Sequence, residues 1–153
     1  MAQPPEQKRA YACASRLLAR REHSCRELIH KLNVRGFSSV AQPVAMQLID
    51  AGLLSDNRFA EMVIYSRMRQ GYGVERIRYE LQNHQITAEI ITDALDMIPM
   101  DGWLSCMHDQ LARRFTSGIP SLTVARRHLR QRGFPTAHIA LLMTALIDQD
   151  LAD

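Results

Sequence analysis

Apolar positions recur every three or four residues along most of this chain. Val74, Ile77 and Leu81 fall on one stripe at helical spacing, and Leu122, Ala125 and Leu129 form its counterpart further on. No alternating β-branched run and no Asn-Gly hairpin turn breaks the pattern. The spacing predicts an all-α chain with helices over Ala10–Glu22, Ser24–Arg35, Ser38–Ala51, Asp56–Gln70, Val74–His84, Thr87–Met97, Gly102–Phe115, Leu122–Arg132 and Thr136–Gln149. Polar punctuation agrees. Ser24 and Ser121 stand where N-caps are wanted, with Gly73 in the same place, and Glu27 completes a capping-box pattern with Ser24. Gly36 and Gly133 stand at left-handed C-cap positions, and Ser38, Thr87 and Thr136 then cap the next helices. Pro43 marks either the first turn of a later-starting helix or a kink.

One short pattern occurs three times: SCRELIHKLNVRGF at Ser24–Phe37, GVERIRYELQNHQI at Gly73–Ile86 and SLTVARRHLRQRGF at Ser121–Phe134. Leu32, Leu81 and Leu129 align, as do Phe37, Ile86 and Phe134, in steps of 49 and 48 residues. A fixed period of this length means tandem helical units that share a core by stacking. The expected layout is a flexible tail over 1–9 and three-helix repeats over 10–54, 55–99 and 100–153. Such arrays present surfaces more than pockets, which points to binding before catalysis.

Composition changes the picture in one respect. The 153 residues are 46% apolar, a globular value, and carry a net charge of +3. Only Lys8 and Lys31 are lysine; the other 17 basic residues are arginine, whose planar fork suits phosphates, carboxylates and aromatic faces. A GC-rich coding bias gives the same skew, so composition leaves both readings open. No acid lies between Asp109 and Asp148, an interval that holds six arginines. Cys13, Cys25 and Cys106 form no CxxC pair, the start of the chain is polar, and no apolar run approaches the ~20 residues of a membrane span. A cytoplasmic protein with reduced thiols and no membrane association is expected.

Candidate chemistry is sparse. His23, Cys25 and His30 lie close together, but no matching pair follows at zinc-finger spacing, so surface or packing roles are expected. No GxSxG, HExxH or nucleotide-binding glycine loop occurs. The reading is a non-enzyme without metal or cofactor. The repeated second helices instead carry bases: Arg26, Lys31 and Arg35, then Arg76 and Arg78, then Arg126, Arg127, Arg130 and Arg132. They build either a discontinuous basic ribbon or solvated faces paired with Glu27, Glu75 and Glu80. The last cluster has no acid nearby and favours phosphate or an acidic partner. Arg67 and Arg69 suit a helix C-terminus in any protein and are also counted as candidates for the basic binding surface. Tyr72, between two glycines, either packs on the next helix or stands exposed as a stacking residue.

The run Leu54-Ser55-Asp56-Asn57-Arg58-Phe59, then Ser66-Arg67, then Gly71-Tyr72-Gly73 with Arg76-Ile77-Arg78-Tyr79-Glu80-Leu81, resembles the central signature of the RecX family. Arg21, Ser24, Glu27 and Leu28 resemble its N-terminal RxxSxxEL pattern. The resemblance is specific in the middle and loose in the third unit. It implies three tandem three-helix repeats in an elongated, curved array without catalytic residues. It implies a monomer that lodges in the groove of the RecA filament on single-stranded DNA and binds DNA weakly without sequence preference. The implied effect is suppression of the RecA ATPase, strand exchange and coprotease activities. A helix-turn-helix transcription regulator and a pure protein scaffold are the competing readings; the former usually dimerises one motif, whereas this chain repeats its motif three times.

Overall fold

A computed structural model of the chain describes residues 4–152. Among them are nine helices and no strand: α1 Pro5–Arg20, α2 Cys25–Val34, α3 Ala41–Asp50, α4 Asp56–Arg69, α5 Val74–Asn83, α6 Ala88–Asp96, α7 Met100–Arg114, α8 Leu122–Gln131 and α9 Thr136–Ala152. They pack in threes, α1 with α2 and α3, α4 with α5 and α6, and α7 with α8 and α9. The all-α repeat layout is therefore present. Residues 5–9 of the expected 1–9 tail belong to α1, which starts at Pro5, a residue whose missing N–H costs nothing at a first helical position. Residues 1–3 and Asp153 lie outside the described residues.

The aligned positions are structurally equivalent. Leu32, Leu81 and Leu129 are all fully buried. Each accepts a hydrogen bond from the backbone N–H five residues on, at 2.9 Å from Phe37, 3.2 Å from Ile86 and 3.1 Å from Phe134. That 6→1 bond is the Schellman ending, and its left-handed residue is Gly36, Gln85 or Gly133, at φ 88°, 56° and 88°. Gln85 takes the glycine's role in the middle copy, which hides the turn from a sequence search for glycine.

Start signals are mixed. Ser24, Ser55 and Thr87 accept from the backbone N–H three residues on, at 3.0, 3.2 and 3.4 Å. Ser121 makes no side-chain cap, contrary to expectation. Ser38 sits in a turn before α3, and Thr136 lies inside α9, so neither caps its helix as expected. Pro43 falls in the first turn of the later-starting α3, not at a kink.

The core is divided in two. Unit 1 encloses its own cluster around Leu28, Leu32, Val44 and Leu48. Units 2 and 3 share one continuous cluster from Phe59 and Ile77 to Met107, Leu129 and Phe134. The expected sharing by stacking holds only between these two units. Their junction is made of backbone. The Arg132 carbonyl accepts from Gly73 N–H and the Gly133 carbonyl from Glu75 N–H, each at 2.9 Å. The end of α8 thereby satisfies donors that the start of α5 leaves without intrahelical partners. No side chain fits between: a Cβ on Gly73 would stand 2.5 Å from Phe134 N and 2.6 Å from Gly133 C.

Gly73 has an ordinary extended backbone at φ −99°, so its replacement acts through the clash alone. We expect Gly73→Ala to lower stability in urea unfolding by about 2 kcal/mol or more. Gly36→Ala, which meets no atom within 4 Å, carries only the left-handed strain of about 1 kcal/mol.

Candidate binding surface

The sequence-nominated arginines fall into two groups. One group is committed to the fold. Arg67 forms a bidentate pair with Glu80, both bonds at 2.7 Å. Arg132 donates to the Gly71 carbonyl at 3.1 Å and to the Gln70 carbonyl. Arg113 donates to the Arg69 carbonyl at 3.0 Å, and the Cys106 thiol donates to the Met68 carbonyl at 3.2 Å. The terminal carbonyls of α4 are therefore capped by side chains of unit 3. Arg132 was expected among the partner-facing cations; it is a half-buried helix cap instead. Sequence reasoning had no local signal for this, because donor and acceptor are 61 residues apart.

Tyr72 belongs to the same junction. Its ring packs against the shared core and is half-buried. The Arg132 guanidinium lies 3.8 Å and the Arg76 guanidinium 4.4 Å from the ring centroid. Of the two expectations for Tyr72, packing holds; the proposed open stacking role does not fit a ring already engaged by two cations.

Unit 1 is joined to unit 2 by polar contacts. Arg58 donates to Glu22 at 2.9 Å and to the Gly52 carbonyl at 2.8 Å. Asp56 accepts from Cys25 N–H at 2.8 Å, and Arg26 donates to Gln85. The signature residues Asp56 and Arg58 are thus the fastening between the first two units. Lys31 follows the bland expectation. Its ammonium is 3.3 Å from Glu27 and donates to His23 Nε2 at 3.1 Å, while Arg35 caps the end of α2 through the Lys31 carbonyl at 3.2 Å. His23 lies buried and its Nδ1 donates to the Arg21 carbonyl at 3.0 Å. No group of three or more metal-ligating side chains comes together among the described residues.

The second group is open. Arg126 and Arg127 are exposed on α8, and their guanidiniums make no hydrogen bond or ion pair among the described residues; the same holds for the guanidinium of Arg69 on α4. Arg130 is exposed and touches only the Thr136 hydroxyl, at 3.1 Å. Arg76 is exposed beside Tyr72, and the half-buried Arg78 reaches Thr92 at 3.4 Å. A residue that sequence reasoning passed over also stands out. Tyr79 on α5 is 66% exposed, at the edge of a groove of about 620 Å³.

Nine helices among the described residues, packed in tandem threes, define the class: an all-α protein of three-helix repeats. The sequence model of the first three-helix domain of RecX matches residues 10–44, and that of the second matches residues 55–95. The chain is 37% identical over 142 residues to the regulatory protein RecX of Halorhodospira halophila, covering 90% of this chain and 87% of that one. It is 39% identical over 142 residues to the regulatory protein RecX of Pseudomonas putida, covering 90% and 88%. The crystal structure of RecX from Lactobacillus salivarius superimposes with a TM-score of 0.78 at 20% identity, over 92% of this chain and 96% of that one. The chain belongs to the RecX family of regulatory proteins.

The two arginine groups separate in stability measurements. Arg132→Ala leaves the Gln70 and Gly71 carbonyls just past α4 without their side-chain donor and is expected to lower stability by about 1.5–3 kcal/mol. Arg126→Ala should stay within about 0.5 kcal/mol of the parent. Chemical denaturation of both variants checks this.

The cluster around α2 also predicts an acid response. Burial opposes ionisation of Glu27, but the hydrogen bond from Arg21 and the charges of Arg21, His23 and Lys31 prevail and hold its carboxyl at about 2. Its ordinary value is 4.5, so below that pH the unfolded chain takes up the proton first. Burial, with the charges of Arg21 and Lys31, holds His23 below its ordinary 6.5, so protonation there favours the unfolded chain too. Stability should fall as pH drops below about 6.5 and again from about 4.5 toward 2. Urea midpoints across pH measure both steps, and Glu27→Gln removes the second.

Proposed function

We propose that this chain is a non-catalytic, cytoplasmic regulator that binds the RecA filament on single-stranded DNA as a monomer. Its effect is to inhibit the ATPase, strand exchange and coprotease activities of that filament. Family membership supports the reading. The observation that carries it is the exposed pair Arg126 and Arg127, without a protein acceptor among the described residues, on a helix that holds no carboxylate. A fold that needed those guanidiniums would have paired them, as it paired Arg67 and Arg132.

An elongated, curved array laid in a helical groove touches more than one protomer. Bridging neighbours hinders the subunit motion that accompanies ATP turnover, and linked weak contacts add effective concentration. Contact with the phosphates of the strand makes binding fall with salt, with a log–log slope of about −0.7 per phosphate neutralised. Guanidinium–phosphate contacts of this kind carry no base preference.

The test is the RecA ATPase on single-stranded DNA titrated with substoichiometric chain. Turnover should fall well before one chain per RecA is reached; unchanged turnover at every ratio would refute the proposal. Replacing Arg126, Arg127 and Arg130 together with Ala should raise the concentration needed about tenfold or more, with an unchanged circular dichroism spectrum.

A further inference from the structure

The groove beside Tyr79 is unlike a protein-docking pocket. Its walls are Arg76, Tyr79 and Asn83 from α5 and Gln70 from the end of α4, closed by Tyr72 and the Arg67–Glu80 pair. No aliphatic side chain lines it. Protein anchors seat in pockets with a well-packed, desolvated floor. Here the surfaces on offer are one exposed ring, one guanidinium and two carboxamides. Glu80 is neutralised by Arg67, which leaves Arg76 as the uncompensated charge of the groove.

Tyr79 has no role in the fold to explain it. It belongs to neither core cluster nor to the side chains packed against them. On an exposed helix face a tyrosine is also a weaker helix former than alanine, lysine or glutamate. The repeat adds a second observation. Each copy places a residue seven positions before its Phe37, Ile86 or Phe134, and those residues are His30, Tyr79 and Arg127. All three are exposed, and all three end in a flat π system. His30 also lines a groove, of about 440 Å³, together with Arg26 and Asn33 of its own helix. An arginine, a ring and an asparagine of one helix therefore line a groove in unit 1 and another in unit 2, with the ring at the equivalent repeat position and the other two one residue out of register.

We infer that the α5 groove is a single-strand nucleic-acid site in which Tyr79 stacks on a base, Arg76 meets the adjoining phosphate, and Asn83 and Gln70 bond base edges without fixed preference. His30 and Arg127 are the corresponding platforms of the other two units. The inference rests on the proposed DNA-filament reading and assigns its base contact to Tyr79 rather than Tyr72. Stacking tolerates any base, because every base has a π face, and suits a regulator that follows a strand of arbitrary sequence.

The experiment is fluorescence anisotropy of the full chain with a labelled oligo(dT) and with an abasic strand of equal length, run beside the RecA ATPase assay. Tyr79→Ala should weaken oligo(dT) binding roughly 5- to 100-fold and leave the abasic strand within about twofold. Tyr79→Phe should restore oligo(dT) binding, since the ring is kept. Arg76→Ala should instead weaken both strands and flatten the salt slope by about 0.7. Unfolding midpoints of Tyr79→Ala should match the parent, because the side chain lies outside both cores.

Equal oligo(dT) affinity in Tyr79→Ala and parent overturns the inference, as does an equal loss on the abasic strand. Loss of ATPase inhibition with unchanged oligo(dT) affinity overturns it in favour of a RecA contact, and the regulatory reading then survives. A parent chain that binds oligo(dT) through Tyr79 but never slows RecA supports the site and defeats the regulatory reading.

Discussion

The structure depends on the backbone contact between the end of α8 and the start of α5. Two carbonyls of the α8 turn satisfy two N–H groups of α5, and the approach is close enough that Gly73 and Gly133 have no room for a Cβ. Around it, Arg113, Arg132 and Cys106 of unit 3 occupy the last carbonyls of α4. Helix ends that would otherwise leave polar groups unmet are thereby satisfied by another repeat, at the rim of a shared core. Units 2 and 3 share one core around these contacts. Unit 1 keeps a separate core and is attached through side chains, with Arg58 and Asp56 as the fasteners.

This division explains the distribution of arginine. A guanidinium has five donors, and helix C-termini present several carbonyls at once, so arginine suits the capping of one helix from another. Arg113 and Arg132 serve that architecture, while Arg67 ties α4 to α5 through the Glu80 carboxylate. Arg126, Arg127 and Arg69 have no such duty among the described residues and stand exposed. The same residue type builds the array and dresses its surface, and only the three-dimensional pairing tells the two uses apart.

Helices and repeats were legible because they are local. The stripe Val74, Ile77, Leu81 and the fully buried Leu32, Leu81 and Leu129 follow from spacing alone. The Schellman turns at Gly36 and Gly133 were legible as glycines, while the third needed coordinates because Gln85 adopts the left-handed backbone. The site was less legible. Arg132 looked like its neighbours Arg126 and Arg130 in sequence, and its carbonyl partners lie in another repeat. Tyr72 drew notice through its flanking glycines, yet Gly71 supplies a left-handed turn and Gly73 close backbone packing, and the more exposed ring is Tyr79. One shared core was expected; two were found, because the backbone junction exists only between units 2 and 3.

The central claim is that the fold consumes one set of arginines and leaves another for the RecA–DNA filament. Arginine-selective labelling with phenylglyoxal, read by mass spectrometry with and without RecA on single-stranded DNA, tests it most directly. Arg126 and Arg127 should label readily in the free chain and become protected on the filament, with Arg67 and Arg132 slow in both states. Equal labelling of Arg126 and Arg127 in both states, or ready labelling of Arg132 in the free chain, would contradict the account.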